Sequence, residues 1–350
     1  MTSTEDQGAP DPAAVTARPA APVAAGNRHE SLDVLRGFAV LGILMVNVQA
    51  FMMYYGAYPY PPAHMDLSGA NGQAWLTTFV FFEAKFITLF STMFGAGIML
   101  MVGDKPDASR KLHFSRMRWL LAIGLIHGFV FWFGDILAVY AVIGFLAVLF
   151  RKMSMVKLVA WGLAFIVLGS VLAFANFWSM SALPASLEPA PFNVVPDADT
   201  LAMFTQAYQG GFLESRIINA ITYAVGLLGQ LVGYSPRLLG LMLIGMALYK
   251  SGFLQARWSA PVYAVLALVC LVPTLPVLWI LGETALSDGF PAGPLWRHTG
   301  ANVALSLVVA FGYASLVMLL CKAPWLKLAR LPFAAAGRMA FTNYLTQTFV

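Results

Sequence analysis

Glu30–Phe51 reads ESLDVLRGFAVLGILMVNVQAF. An acid and a base, Asp33 and Arg36, stand at the mouth of a long apolar run, and Asn47 lies deep inside it. At about 100° per residue these three fall within about a quarter-turn of one another. The helix therefore carries one polar stripe and is otherwise apolar all round. A polar stripe against lipid is costly, so this face is expected to look onto other helices or a cavity. The plainer alternative is that Asp33 and Arg36 form a salt-bridged helix start at the membrane interface.

The remaining sequence repeats the apolar theme. The chain has 350 residues, 59% hydrophobic and only 11% charged, with a mean hydropathy of +0.74. Soluble domains carry about 25% charged residues, which excludes that class. Lipid accepts only helices or closed barrels, and the runs here are helix-length. The expected fold class is all-α, a polytopic helical membrane bundle with about nine spans. A net charge of +5 does not signal nucleic acid, because the basic residues sit in short clusters between apolar runs, as cytoplasmic loops do. Cys270 and Cys321 fall within expected spans, which argues against a disulfide framework. Residues 1–27 are Ala/Pro-rich with no apolar core and read as a disordered cytoplasmic tail. Residues 28–350 form the transmembrane domain, with the first helix as an uncleaved anchor and the N-terminus cytoplasmic.

Spans are expected over 35–55, 83–102, 119–133, 136–150, 159–178, 237–249, 261–281 and 302–320, with a final helix starting near Arg338. The third and fourth are each about 22 Å long, short of a bilayer, and meet at Gly134-Asp135, so their turn is expected inside a recess. Lys105, Arg110, Lys111, Arg116 and Arg118 mark the strongest cytoplasmic loop. Residues 180–214 contain Glu188, Asp197, Asp199 and Glu214 but no Lys or Arg, and read as an external loop with a short amphipathic helix around 200–209. Residues 216–234 read as a re-entrant or interfacial segment. The last helix has too few residues before Val350 to cross, so the C-terminus reads as truncated.

On this topology Glu83, Lys85, His127 and Asp135 converge on the outer half of the membrane. His127 lies between Gly124 and Gly128, a spacing that admits close helix approach, and is either a structural hydrogen-bonder or a general base oriented by Asp135 or Glu83. Glu83 and Lys85 point to different helix faces and need partners elsewhere, or snorkel to headgroups. Asn343 and Gln347 share a face, with Tyr344 adjoining, and read as interhelical glue or as part of a substrate site. Arg36 and Arg338 at the cytoplasmic mouth suit either the phosphates of a donor or simple positive-inside anchoring. No metal-ligand spacing, P-loop or dinucleotide fingerprint is present, so neither a metal nor a resident cofactor is expected.

The SLDVLRG opening, FFEAKFITLFSTMFGAG at 81–97, IHGFVFWFGDILAVYA at 126–141 and GRMAFTNYLTQ at 337–347 together resemble the bacterial domain-of-unknown-function-418 family, the YeiB-like membrane proteins. The resemblance implies a multi-pass protein of the bacterial inner membrane. The first helix is also similar, remotely, to transmembrane acyltransferases of the heparan-glucosaminide acetyltransferase type, which move acetyl groups from cytosolic acyl-CoA to sugars beyond the membrane. That similarity implies acyl-CoA as donor and a glycan or lipid acceptor. His127, Asp135 and Glu83 are then the catalytic candidates, and Asp33, Arg36, Asn47, Lys85, Arg338, Asn343, Tyr344 and Gln347 the substrate-binding ones. A small-solute or lipid permease, or a structural membrane protein, is the alternative reading. Membrane lipids are the other expected partner.

Overall fold

Inside a bilayer every backbone N–H and C=O must find its partner within the protein, and the computed structural model meets that demand with helices alone: among the described residues there is no strand. It describes residues 29–53, 55–58, 60–103, 107–182, 197–290 and 295–349. The expected 1–27 tail, Lys105, Glu188 and the middle of the external loop lie outside the described residues.

The first helix, α1 (Glu30–Met52), is followed by two short 3-10 turns and then α2 (Ala70–Phe81) and α3 (Lys85–Met101). Ala84 separates these two at φ 63, a left-handed conformation uncommon for a residue with a side chain. Next come α4 (Asp107–Ile126), a π-helical turn at His127–Phe131, and α5 (Leu137–Ala147). The chain continues through α6 (Met155–Ala182), α7 (Ala198–Gln209), α8 (Phe212–Gly229), a second π turn at Gln230–Tyr234 and α9 (Ser235–Lys250). It ends with α10 (Ala260–Ser287), α11 (Leu295–Lys322), α12 (Lys327–Arg338) and α13 (Ala340–Thr346).

Seven helices among the described residues are long and apolar enough to cross a membrane, and Leu137–Phe150 is apolar but shorter. The protein is a multi-pass all-α membrane bundle. Two expectations change. Residues 216–234 are not a separate re-entrant piece: α8, the π turn and α9 run as one 39-residue helix, about 58 Å long and about twice the bilayer core. The final helix does start close to Arg338, at Ala340, but it is preceded by an unexpected helix, α12, from which it is parted at Met339 (φ −108, ψ 20).

The main packed pairs are α6 with α9, α1 with α12, α10 with α11, α3 with α9, and α4 with α5. The α1–α12 crossing depends on two glycines. A Cβ on Gly37 would stand 1.8 Å from the Phe333 carbonyl, and one on Gly337 would stand 1.8 Å from the Asp33 carbonyl. Leu35, Val40, Phe86, Met93 and Ala96 fill the core beside this crossing.

One end of the bundle is tied together by Ser31 Oγ on the Leu254 carbonyl (2.8 Å) and Arg330 Nε on Glu30 Oε1 (2.9 Å). Lys250 Nζ on the Met153 carbonyl (2.7 Å) and Lys322 Nζ on the Ala256 carbonyl (3.1 Å) join the same end. At the opposite end α2 packs on α10, Trp75 stands edge-on to Phe290, and Asp197 caps α7 through the Thr200 N–H (2.7 Å).

Candidate functional site

His127 is the first residue of the π turn that follows α4. Its side chain is buried, as is that of Asp135 in the tight connection to α5. Nδ1 of His127 lies 2.8 Å from Asp135 Oδ2. The other carboxylate oxygen accepts from the N–H groups of Leu137 (2.9 Å) and Ala138 (3.4 Å), which pins Asp135 to the start of α5. A carboxylate can only accept when ionised, so it draws the ring proton to Nδ1 and leaves the Nε2 lone pair free. Nε2 faces Oγ1 of Thr348 at 2.9 Å. The result is a carboxylate–imidazole–hydroxyl relay, the arrangement in which a histidine can take a proton from a hydroxyl.

The surroundings hold this relay rigidly. A π turn leaves backbone carbonyls without their usual helical donors, and α8 supplies replacements. Asn219 Nδ2 donates to Gly128 and Phe129 (2.9 and 3.1 Å), and Arg216 Nη1 donates to Val130 and Phe131 (2.6 and 3.0 Å). Gly124 and Gly128 do mediate close approach, with a Cβ at Gly124 reaching 2.5 Å from Ala138 N and one at Gly128 reaching 2.1 Å from the Tyr223 ring. The Tyr344 ring lies 5.9 Å from that of His127, and its hydroxyl accepts from the Ile136 N–H at 3.3 Å.

Three cavities lie near this centre, although none of them is lined by His127, Asp135 or Thr348 themselves. A cleft of about 500 Å³ is lined by residues of α1, α3, α4, α5 and α13; apart from Arg36, Arg116 and His113 its lining is largely apolar, and Tyr344 is part of it. Arg36 and Arg116 are close enough to feel each other's charge. His113 Nε2 lies 3.0 Å from the Gly144 carbonyl, while its Nδ1 is buried without a partner among the described residues. A smaller cavity of about 70 Å³ lies beyond Tyr344, lined by Ile43, Asn47, Tyr58, Ile87 and Gly134 among others. A third, of about 390 Å³, adjoins Phe131 and Trp132 and is lined by His64, Tyr208, Gln209, Arg216 and Asn219.

The remaining sequence candidates are spread more widely than expected. Asp33 holds Arg36 at 3.1 Å, but Arg36 lines the large cleft and Asn47 the small cavity, so they share no single stripe-facing space. Glu83 makes no hydrogen bond to His127 or Asp135 among the described residues; Asp135 alone orients the imidazole. Lys85 and Glu83 flank the left-handed Ala84, so the face rule for a regular helix fails there, and each feels the other's charge. The Lys85 ammonium is fully buried and taken up by the Phe79 carbonyl (2.6 Å) and Asn302 Oδ1, a packing role, and it lines none of the three cavities. Arg338 is exposed and does not line the cleft; Arg116 stands where it was expected. Asn343 bonds the Ala336 carbonyl (3.0 Å) and Gln347 the Val40 carbonyl (3.1 Å), securing α13 to α12 and α1. Among the described residues no cluster of His, Cys, Asp or Glu suits a metal ion.

Thr348, Arg216, Asn219 and Arg116 were invisible as site residues in the sequence. None has a diagnostic spacing; Thr348, Arg216 and Asn219 reach the site from far along the chain, 221 residues in the case of Thr348 and His127, and Arg116 lies on α4 itself.

A family model described as "Protein of unknown function (DUF418)" matches residues 248–350. The chain is 31% identical to the uncharacterized protein YeiB of Escherichia coli K12, over 92% of this chain and 82% of YeiB. It is 28% identical to the uncharacterized protein YxaH of Bacillus subtilis 168, over 94% of this chain and 82% of YxaH. No solved structure matches. Sharing nearly its whole length with YeiB at this identity, the chain belongs to the DUF418 family.

Proposed function

We propose that this protein is a transmembrane acyltransferase that passes an acyl group from cytosolic acyl-CoA to a hydroxyl-bearing acceptor, a glycan or lipid, on the far side of the membrane. The observation that carries the reading is the buried His127, fixed by Asp135 at 2.8 Å and facing a hydroxyl at 2.9 Å. Such a ring has the tautomer and the neighbour a general base needs.

The cavities give the two substrates opposite entrances. Arg110, Lys111, Arg118, Lys152, Lys322 and Lys327 fall on the same side of the spans as His29, which the positive-inside rule assigns to the cytoplasm. Arg36 and Arg116 line the part of the cleft nearest that side, and two guanidiniums without enough carboxylate suit the phosphates of CoA. Its lining on α3 runs from Met101 to Phe90, about 16 Å along the helix, enough for an extended arm to reach Tyr344. The polar cavity beside Trp132 suits an acceptor arriving from the other face.

In the reaction the acceptor hydroxyl takes the place now held by Thr348. His127 Nε2 removes its proton as the oxygen attacks the thioester carbonyl carbon. The tetrahedral adduct then expels the CoA sulfur, which takes the proton back from His127, leaving an ester and free CoA thiol.

Isothermal titration of the purified protein with acetyl-CoA and free CoA tests the donor half. Saturable binding that weakens at least about tenfold in Arg36→Lys or Arg116→Ala is expected, since the planar fork matters as well as the charge. Absence of binding by every CoA species would overturn the reading and favour transport.

A further inference from the structure

We propose that the large cleft is a lateral binding site for an anionic glycerophospholipid of the cytoplasmic leaflet, with the phosphate at Arg36 and Arg116 and one acyl chain along α3. The proposal goes beyond the acyl-transfer reading and does not depend on it. The cleft reaches the outside of the bundle within the membrane-spanning region: Trp119 and Phe341 line it and are 69% and 43% exposed. Trp119 shares one face of α4 with Leu112 and Ile126, each one heptad away, and all three are exposed, so this face looks onto lipid. An apolar space that meets the bilayer there takes up hydrocarbon, since water finds no polar partners in it.

Charge and reach select the occupant. Arg36 is paired with Asp33 at 3.1 Å, whereas Arg116 rests Nη1 on Met101 Sδ at 2.9 Å. Among the described residues no carboxylate pairs with Arg116. Two guanidiniums thus share one carboxylate near the cytoplasmic edge, and the surplus charge suits a phosphate diester. Basic pockets between spanning helices on that side hold anionic headgroups in this way. A zwitterionic lipid brings its own cation and gains less. From Met101 to Phe90 the lining runs about 16 Å along α3, close to half of a hydrocarbon core about 30 Å thick, which is the depth of one leaflet. Met93, Phe94 and Ile98 give an acyl chain an apolar wall over that length. Gly97 lies among them, and a Cβ there would meet no heavy atom within 4 Å. This glycine serves no helix crossing and leaves open space in the wall of the cleft.

The test is native mass spectrometry of the full chain in detergent, titrated with phosphatidylglycerol, with phosphatidylcholine of the same acyl chains, and with inorganic phosphate. One phosphatidylglycerol per chain is expected to stay bound, at least about tenfold more tightly than phosphatidylcholine, and phosphate is not expected to displace it. Arg36→Gln and Arg116→Gln should each weaken it about fivefold, the worth of one basic residue against an anionic headgroup. Gly97→Leu directs a side chain into the open space and should weaken it at least about tenfold, the penalty of overfilling the site. Elution profiles show which of the three variants are folded. Equal retention of the two lipids, displacement by phosphate, or an unchanged adduct in every folded variant overturns the proposal. So does a dimer without lipid, which would give the cleft to a second copy of the chain. CoA separates this site from the donor reading, because both claim the same two arginines and must exclude one another. Lipid retained with no CoA binding supports the lipid site and removes the donor reading. CoA and lipid held together, with the arginine variants weakening CoA alone, overturns the lipid site and leaves the donor.

Discussion

Oγ1 of Thr348 lies 2.9 Å from Nε2 of His127, although 221 residues separate them in the chain. The hydroxyl marks where a proton donor to the imidazole must stand. It is brought there by α12 and α13, which Gln347 fastens to α1 through the Val40 carbonyl.

If His127 is a base and not only a packing group, His127→Gln keeps a hydrogen bond yet loses proton transfer. Acyl transfer should fall by about 10²–10⁴-fold, with elution profile and melting point preserved. Asp135→Asn should also lose most of the rate, because the wrong ring nitrogen is then free. Retained transfer in His127→Gln ends the assignment.

Thr348→Val separates direct transfer from a covalent relay. In direct transfer the acceptor replaces the threonine hydroxyl, so the rate should change by no more than about threefold, well below the loss from removing the base. Abolished activity in an intact protein, with acyl label on Thr348 in the native protein by mass spectrometry, would make it an acyl carrier.

Asn219 closes two carbonyls that the π turn leaves open. Asn219→Ala should lower stability by about 1 kcal/mol, within the range measured for hydrogen bonds between membrane helices. It should also loosen His127, lowering the turnover rate more than donor affinity. Equal changes in both would argue that α8 has no special hold on the site.

The α1–α12 crossing should fail when either glycine gains a side chain. Gly37→Val and Gly337→Val each force a Cβ to within 1.8 Å of a carbonyl oxygen, with an expected loss of about 1–3 kcal/mol. Thermal unfolding in detergent reads this directly. An unchanged melting point would show that the two helices can part without cost.

Sidedness is tested in a background without Cys270 and Cys321. Cysteines at Ser109 and Glu214 should label from opposite faces, Ser109 from the cytoplasm, because basic residues crowd the first and are scarce near the second. Labelling from the same face would refute the topology.

The class of the protein was legible from the sequence. Runs of apolar residues at helix length, with 11% charge overall, leave a helical bundle as the physical solution, since lipid satisfies no backbone group. The Asp33–Arg36 pair and the proximity of Asp135 to His127 also followed from local spacing, because a short helix hairpin returns nearby residues to one another. What remained undecided was every contact made between distant helices. Arg216 and Asn219 looked like part of a separate segment, yet a continuous α8 carries them onto the π turn. Glu83 and Lys85 looked like site residues, but the left-handed Ala84 between them turns Lys85 toward Asn302. Arg116 and not Arg338 lines the cleft, since Arg338, the last residue of α12, is exposed. Local periodicity determines which residues become helix and which face is polar. Where those faces meet depends on breaks, π turns and glycine crossings, whose consequences exist only once the helices pack.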